Sequence, residues 1–214
     1  MEIKVQNLSL TYSSSHAPLF NIKSLTIPRG SKILIKGASG KGKTTLLHMF
    51  AGLLLPQYGT ILLDNIELNS LSEKERSKLR RTKLGIVFQK LNLLEHLSVL
   101  ENVMLGLNAE KRHKETKAEQ ALQRLNMLEK RYFLSAQLSL GEQQRTAVAR
   151  VLAVEPSLIL ADEPTSSLDD LNCKDVLDAL LHAADKNTLV VVSHDQRIEC
   201  GFDKVINFEE FAAV

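Results

Sequence analysis

The chain has 214 residues, 44% apolar and 24% charged, a balance that fits a soluble globular protein and excludes a disordered one. Lysine and arginine number 27 against 25 aspartates and glutamates, and a net charge of +2 gives no global case for nucleic-acid binding. No stretch approaches the ~18 uninterrupted apolar residues of a membrane span, Met1 to Lys4 lack the apolar segment of a signal peptide, and two cysteines, Cys173 and Cys200, are too few for a disulfide framework and read as free thiols in a reducing compartment. A chain this long can bury its own core, and residues 1–214 read as a single domain.

The first punctuation is a short polar loop, Ser13-Ser14-Ser15, ending at Pro18. Residues 32–36 are β-branched and bounded by Gly30 and Gly37, as a strand is. Leu46, Leu47, Phe50, Leu53 and Leu54 form a helical stripe stopped by Pro56. Residues 60–63 and 66–68 flank Asp64-Asn65, a two-residue hairpin signal. Ser72 with Glu75 has capping-box spacing and opens a charged helix to about Lys83. Its Lys74, Arg76, Lys78, Arg80, Arg81 and Lys83 interleave with Glu73 and Glu75, which reads as a solvated face.

Residues 85–88, 158–161 and 188–192 are continuously apolar, as strands covered on both faces are. From about residue 90 to 138 there are helix signals and no clear strand, so this stretch reads as a helical insertion. Ala118, Ala121, Leu122, Leu125 and Leu128 mark one helix there. Cys173, Val176, Leu177, Leu180, Leu181 and Ala184 mark a later one, which makes Cys173 a packing residue. Strands alternating with helices predict an α/β fold with a mostly parallel sheet.

The first of these strands runs into Gly37-Ala38-Ser39-Gly40-Lys41-Gly42-Lys43-Thr44, which is G-x-x-x-x-G-K-[ST] in a strand-loop-helix context. Gly37, Gly40 and Gly42 let the backbone bend around phosphate with its N–H groups inward. The following helix turns its N-terminal donors and dipole to the same anion. Lys43 supplies charge to the β- and γ-phosphates, and Thr44 a hydroxyl to Mg²⁺.

Residues 158–161 run into Asp162-Glu163. A buried strand cannot end in two acids without compensation. Mg²⁺ would compensate Asp162, and Glu163 would polarise an attacking water; the plain alternative is an acidic turn before Pro164. A third element, Leu138-Ser139-Leu140-Gly141-Glu142, precedes a helix with apolar Ala147, Val148, Val151 and Leu152. Ser139 and Glu142 have capping-box spacing, which leaves two readings open: a good helix cap, or a second anion site.

Together these residues resemble the ATP-binding cassette ATPases, and the match covers nearly the whole chain in family order. The phosphate loop resembles their Walker A, Leu160-Ala161-Asp162-Glu163-Pro164 their Walker B, and Leu138-Ser139-Leu140-Gly141-Glu142 their signature motif. Leu140 departs from it, standing where the family has the first of two glycines. Gln89 is similar to the Q-loop glutamine, Ser166-Ser167-Leu168-Asp169 to the D-loop, and Val192-Ser193-His194-Asp195 to the segment with the switch histidine.

The resemblance implies a P-loop NTPase core, an N-terminal antiparallel β-subdomain and an inserted helical subdomain. It implies ATP and Mg²⁺ as cofactors, with nucleotide contacts at Tyr12 (stacking on adenine), Gly37, Ala38, Ser39, Gly40, Lys41, Gly42, Lys43, Thr44, Thr45, Ser139 and Gly141. Metal contacts are implied at Thr44, Gln89 and Asp162, and catalytic roles for Glu163 as base, His194 and Gln89.

Residues 79–89, 92–94, 97–99, 101–103 and 141–145 further resemble the ATPases of lipoprotein-release systems, macrolide and peptide exporters and a related cell-division system. Glu95 stands where that subgroup often has Pro. The implied partners are a second ATPase subunit, head to tail, and an integral membrane permease on whose cytoplasmic face the chain would sit; no nucleic acid is implied. Only twenty residues follow His194 in this sequence, so an appended regulatory domain is not expected within it. The alternative is a soluble cassette that remodels an assembly without transport.

Overall fold

The structure, a computed structural model, describes residues 1–11, 19–107 and 110–211. An antiparallel sheet takes β1 (Ile3–Leu10), β2 (Phe20–Ile27), β4 (Tyr58–Leu63) and β5 (Ile66–Glu67) in the order β2-β1-β4-β5. A parallel sheet takes β3 (Lys32–Lys36), β6 (Leu84–Val87), β7 (Leu158–Asp162), β8 (Thr188–Ser193) and β9 (Lys204–Asn207) in the order β6-β7-β8-β3-β9. Asp64 and Asn65 turn the β4–β5 hairpin with φ of 47° and 67°, the left-handed pair that a two-residue turn needs. The second strand stops at Glu67, one residue short of the sequence reading, because Leu68 turns inward to be 1% exposed.

The parallel sheet is covered on both faces, and its side chains alternate between two cores. Leu34, Ile159, Ala161, Leu189 and Val191 face one. Ile33, Ile35, Leu158, Leu160, Val190 and Val192 face the other, with α1 (Lys43–Phe50) and the antiparallel sheet. Each buried Leu, Ile or Val here contributes about 1.5–3 kcal/mol. Burial on both faces is why these strands are apolar throughout rather than alternating.

The helices depart from the sequence stripes at their ends. α1 stops at Phe50, so Leu53 and Leu54 lie outside it, exposed. Gly52 adopts φ 62°, its N–H donates to Met49 O at 3.0 Å and Leu53 N–H to His48 O at 3.0 Å. That is a Schellman stop placed before Pro56. α2 (Glu73–Lys83) has the expected capping box, and Lys74, Lys78, Arg81 and Lys83 are exposed as expected, but Arg76 and Arg80 are half-buried. Arg76 and Arg80 both pair with Glu73, and Arg80 Nη1 donates to Gly52 O at 2.8 Å, so α2 seals the end of α1.

Between β6 and β7 lie α3 (Val99–Met104), α4 (Lys111–Arg124) and α5 (Leu140–Leu152). The β pairing there, among the described residues, is a single Ser98–Leu134 bridge. α4 stops at Arg124, four residues before Leu128, as Asn126 adopts φ 55°. After β7, α6 (Asp170–Ala183) buries Cys173, Val176, Leu177 and Leu180, so Cys173 is a packing residue.

Asn102, fully buried on α3, organises this region. Its amide oxygen accepts from Leu94 N at 2.8 Å, and its amide nitrogen donates to Leu94 O at 3.0 Å and Ser135 Oγ at 2.8 Å. One side chain thereby fixes the segment after β6 and the turn before α5. Asn102→Ala leaves the buried Ser135 hydroxyl and the part-buried Leu94 backbone groups without this partner, and a buried unpaired group costs about 1–3 kcal/mol. Stability should fall by at least about 2 kcal/mol, read as a lower urea midpoint with an unchanged slope.

Candidate functional site

Three neighbouring parallel strands deliver the site. β3, β8 and β7 pair so that Lys36 lies opposite Ser193 and Asp162 opposite Val192. Glu163 N then donates to Val192 O at 2.9 Å. Gly37, Asp162-Glu163 and Ser193-His194 therefore leave the sheet at one carboxyl edge, where open parallel sheets bind ligands.

The loop between β3 and α1 needs its glycines for two reasons. Gly40 and Gly42 adopt φ of 77° and 108°. A Cβ at Gly42 would lie 2.6 Å from Leu19 Cδ2, and one at Gly37 2.9 Å from Phe208 Cβ. Lys43 is 6% exposed, and its Nζ donates to Gly37 O at 2.7 Å and Ala38 O at 2.9 Å. An ammonium has three donors, so one remains to meet an anion. The N-terminal end of α1, with its dipole, follows directly on this loop.

Ser39, Gly40, Gly42, Lys43, Thr44 and Thr45 line a cavity of about 240 Å³, with Gln89 and Glu163 on its other wall. Gly37, Ala38 and His194 line a neighbouring cavity of about 490 Å³. Lys41 lines neither and is exposed to solvent.

The two acids are both buried. Asp162 is 1% exposed and its Oδ1 has no hydrogen-bond partner among the described residues. Burial pushes its pKa up; a hydrogen bond with the Thr44 side chain works against this, and the neighbouring Glu163 charge adds to it. The Asp162 carboxyl, with one orphaned oxygen and a hydrogen bond to Thr44, stands behind a cavity that Thr44 and Gln89 line, and this is a donor set that fits a hard cation. Mg²⁺ in particular is held by one or two carboxylates plus substrate phosphates.

Glu163 is 6% exposed, and its backbone adopts φ 48°, unusual outside glycine. Its Oε2 accepts from Ser193 Oγ at 2.7 Å and its Oε1 from His194 N at 3.1 Å. His194 Nδ1 lies 2.7 Å from the same Oε1. An ionised carboxylate only accepts, so a hydrogen bond to it from this ring needs the Nδ1–H tautomer. Both carboxylates are buried rather than exposed on a turn.

Ser139 caps α5. Its Oγ accepts from Glu142 N at 3.4 Å, and its N donates to Glu142 Oε2 at 2.9 Å. Neither Ser139 nor Gly141 lines the phosphate cavity of its own chain. Gly141 packs elsewhere, where a Cβ would meet Leu168 Cδ2 at 3.2 Å. Tyr12 lies outside the described residues. Sequence reasoning gave no role to Ser193, Thr165 or Arg197, whose hydrogen bonds support the site. The signal for Arg197 is local: Asp195 Oδ1 accepts from its backbone N at 2.9 Å, a turn that an Asp two residues before an Arg permits.

A sheet edge of this kind, carrying a glycine phosphate loop and a buried acidic pair, defines a nucleotide-binding cassette with the P-loop NTPase fold. The family model described as "ABC transporter" matches residues 20–166, and the chain belongs to the ABC transporter family. It is 41% identical over 191 residues to the lipoprotein-releasing system ATP-binding protein LolD of Legionella pneumophila, covering 87% of this chain and 84% of that one. An ABC transporter ATP-binding protein of Mycobacterium tuberculosis is 40% identical over 211 residues, and the chain spans 64% of its length. The dimeric cassette MJ0796, from Methanocaldococcus jannaschii, superposes with a TM-score of 0.90 at 34% identity, covering 96% of this chain and 93% of that one. The same cassette has been solved as a post-hydrolysis dimer bound to ADP and Pi, with a TM-score of 0.89.

The buried Asp162 carries a stability signature. With its pKa raised, the folded state holds the proton more tightly than the unfolded one, so stability is full below the ordinary carboxylate range and falls as pH rises through the shifted value. Asp162→Asn removes the charge and keeps the shape. The nucleotide-free variant should melt a few degrees higher at neutral pH, as ~1 kcal/mol moves a chain of this size by about 2–4 °C. Calorimetry should also show that Mg²⁺ no longer strengthens its nucleotide binding.

Proposed function

We propose that this chain is the ATP-binding and ATP-hydrolysing subunit of an ABC transporter, working head to tail with a second copy and driving a membrane permease from the cytoplasmic side. The observation that carries this reading is one cavity lined by the phosphate loop, Gln89 and Glu163, with the orphaned Asp162 oxygen beside Thr44.

ATP lies along the loop, its β- and γ-phosphates facing the N–H groups of α1 and the Lys43 ammonium. Thr44, Asp162 and Gln89 would hold Mg²⁺, which neutralises phosphate charge when bound. Glu163 accepts a proton from the water that attacks the γ-phosphorus, as the bond to the ADP oxygen breaks. Ser193 and His194 fix the Glu163 carboxylate through the contacts above, and His194 also borders the loop. Tyr12 is assigned to the adenine.

Ser139 is exposed and stands at the start of α5, where the helix dipole favours an anion. Ser139 and Gly141 are assigned to the γ-phosphate held by the other copy, which makes ATP part of the interface and hydrolysis its release. This role adds to the capping role, since the hydroxyl retains acceptor and donor capacity.

Among the described residues no helix is long and apolar enough to cross a membrane, and we assign the membrane path to a permease. The likeness to LolD supports a lipoprotein-release or export type.

Glu163→Gln keeps the shape and cannot take the proton. Turnover should fall at least about a hundredfold, the scale of a general base, while ATP still binds and a closed dimer accumulates in light scattering with Mg-ATP. Parental turnover would remove Glu163 as base. Ser139→Arg should leave ATP binding by the single chain near parental and prevent ATP-dependent dimerisation. Dimerisation like the parent's would overturn the assignment of Ser139 across the interface.

A further inference from the structure

Arg197 follows the switch segment and lies outside both cavities of the candidate site. A guanidinium offers five N–H donors in a fixed fork, and all five are directed at protein acceptors. Nε faces Asp195 Oδ1 at 3.0 Å and Oδ2 at 3.1 Å, and Nη2 donates to Asp195 Oδ2 at 2.7 Å. Nη1 donates to Leu168 O at 3.2 Å and Asp170 Oδ1 at 2.7 Å, and Nη2 also reaches Thr165 O at 3.5 Å. Thr165 Oγ1 closes the ring by donating to Asp195 Oδ2 at 3.1 Å.

The two ends of this fork belong to different parts of the site. On one side, Asp195 N donates to Ser193 Oγ at 3.1 Å, and Ser193 Oγ donates to Glu163 Oε2. On the other, Leu168 packs on Gly141 at the head of α5. The hydrogen bonds from Arg197 hold the Asp195 carboxyl down at about 2, so that carboxylate stays charged across the working pH range.

We propose that Arg197 is a positioning residue for hydrolysis, fastening the segment with Ser193 and His194 to the loop 165–170 so that the Glu163 carboxylate and the head of α5 are held in one arrangement. It touches no reacting atom. Its effect reaches the chemistry through Asp195 and Ser193 to Glu163, and reaches the start of α5 through Leu168. The proposal rests on the ATPase reading for its chemical consequence and on geometry alone for the fastening.

The full chain carrying Arg197→Ala and Arg197→Lys is compared with the parent in two measurements. In steady-state ATP hydrolysis, Arg197→Ala should lower kcat by about ten- to a hundredfold, the range seen when remote changes misplace reacting groups by an ångström. KM should stay within about twofold, because the phosphate loop is untouched. Arg197→Lys should recover less than half of the loss, since a point charge cannot serve Asp195, Leu168 and Asp170 together. In hydrogen exchange of the nucleotide-free chain, Arg197→Ala should speed exchange at residues 165–170 and 193–197 together and leave α1 unchanged.

A parental kcat in Arg197→Ala, a loss confined to KM, or full rescue by lysine would overturn the positioning role. Faster exchange in only one of the two segments would overturn the fastening. A parent that does not hydrolyse ATP would sink the ATPase reading instead, and the exchange measurement would still decide the fastening.

Discussion

Three strands, β3, β8 and β7, lie side by side in parallel and end at the same edge of a buried sheet. Everything chemical in the molecule follows from that pairing. Because side-chain period in a strand is two, a slip of one residue would exchange the two cores and turn the carboxylates away from the phosphate loop. The pairing holds because both faces are apolar and filled, so register is set by burial before any polar contact is made. The loop glycines and acids then arrive opposite one another, with no need for a folded loop to find them.

The same edge concentrates polar groups that are costly to bury. Glu163, Ser193, Thr165 and Asp162 are all nearly inaccessible. Three of them are answered by protein: Ser193 and His194 serve Glu163, and Thr165 serves Asp195. Asp162 is answered on one side by Thr44, and its Oδ1 has no partner among the described residues. Buried polar atoms in native proteins are overwhelmingly paired. An unpaired one next to Thr44 of the phosphate loop supports the proposal that a cation is held there.

The helical region shares a core with one face of the sheet rather than a sheet of its own, and single side chains add polar ties to it. Asn102 fixes Leu94 and Ser135, and Arg150 on α5 donates to Leu91 O at 2.7 Å and Asn92 O at 2.8 Å, just beyond Gln89. The segment carrying Gln89 is thus held by the helix that Ser139 caps. A shift of α5 would be felt beside the cavity wall.

The sequence by itself determined what depends on near neighbours. Positive φ at Gly40 and Gly42, the capping boxes at Ser72 and Ser139, the Asp64-Asn65 turn and the apolar runs of the buried strands are all set within a few residues, and all were legible. Helix ends were less so, since α1 is stopped by Gly52 and sealed by Arg80 from α2, a contact between residues 28 apart. The tertiary structure alone decided that Arg76 and Arg80 are anchored, that Ser193 holds Glu163, and that Arg197 reaches Leu168 and Asp170. Arg197 and Leu168 are 29 residues apart and Arg150 and Leu91 are 59 apart. Several of those acceptors are backbone carbonyls, which every residue carries alike. No choice of side chain advertises a carbonyl as a partner, and only the fold brings it within reach.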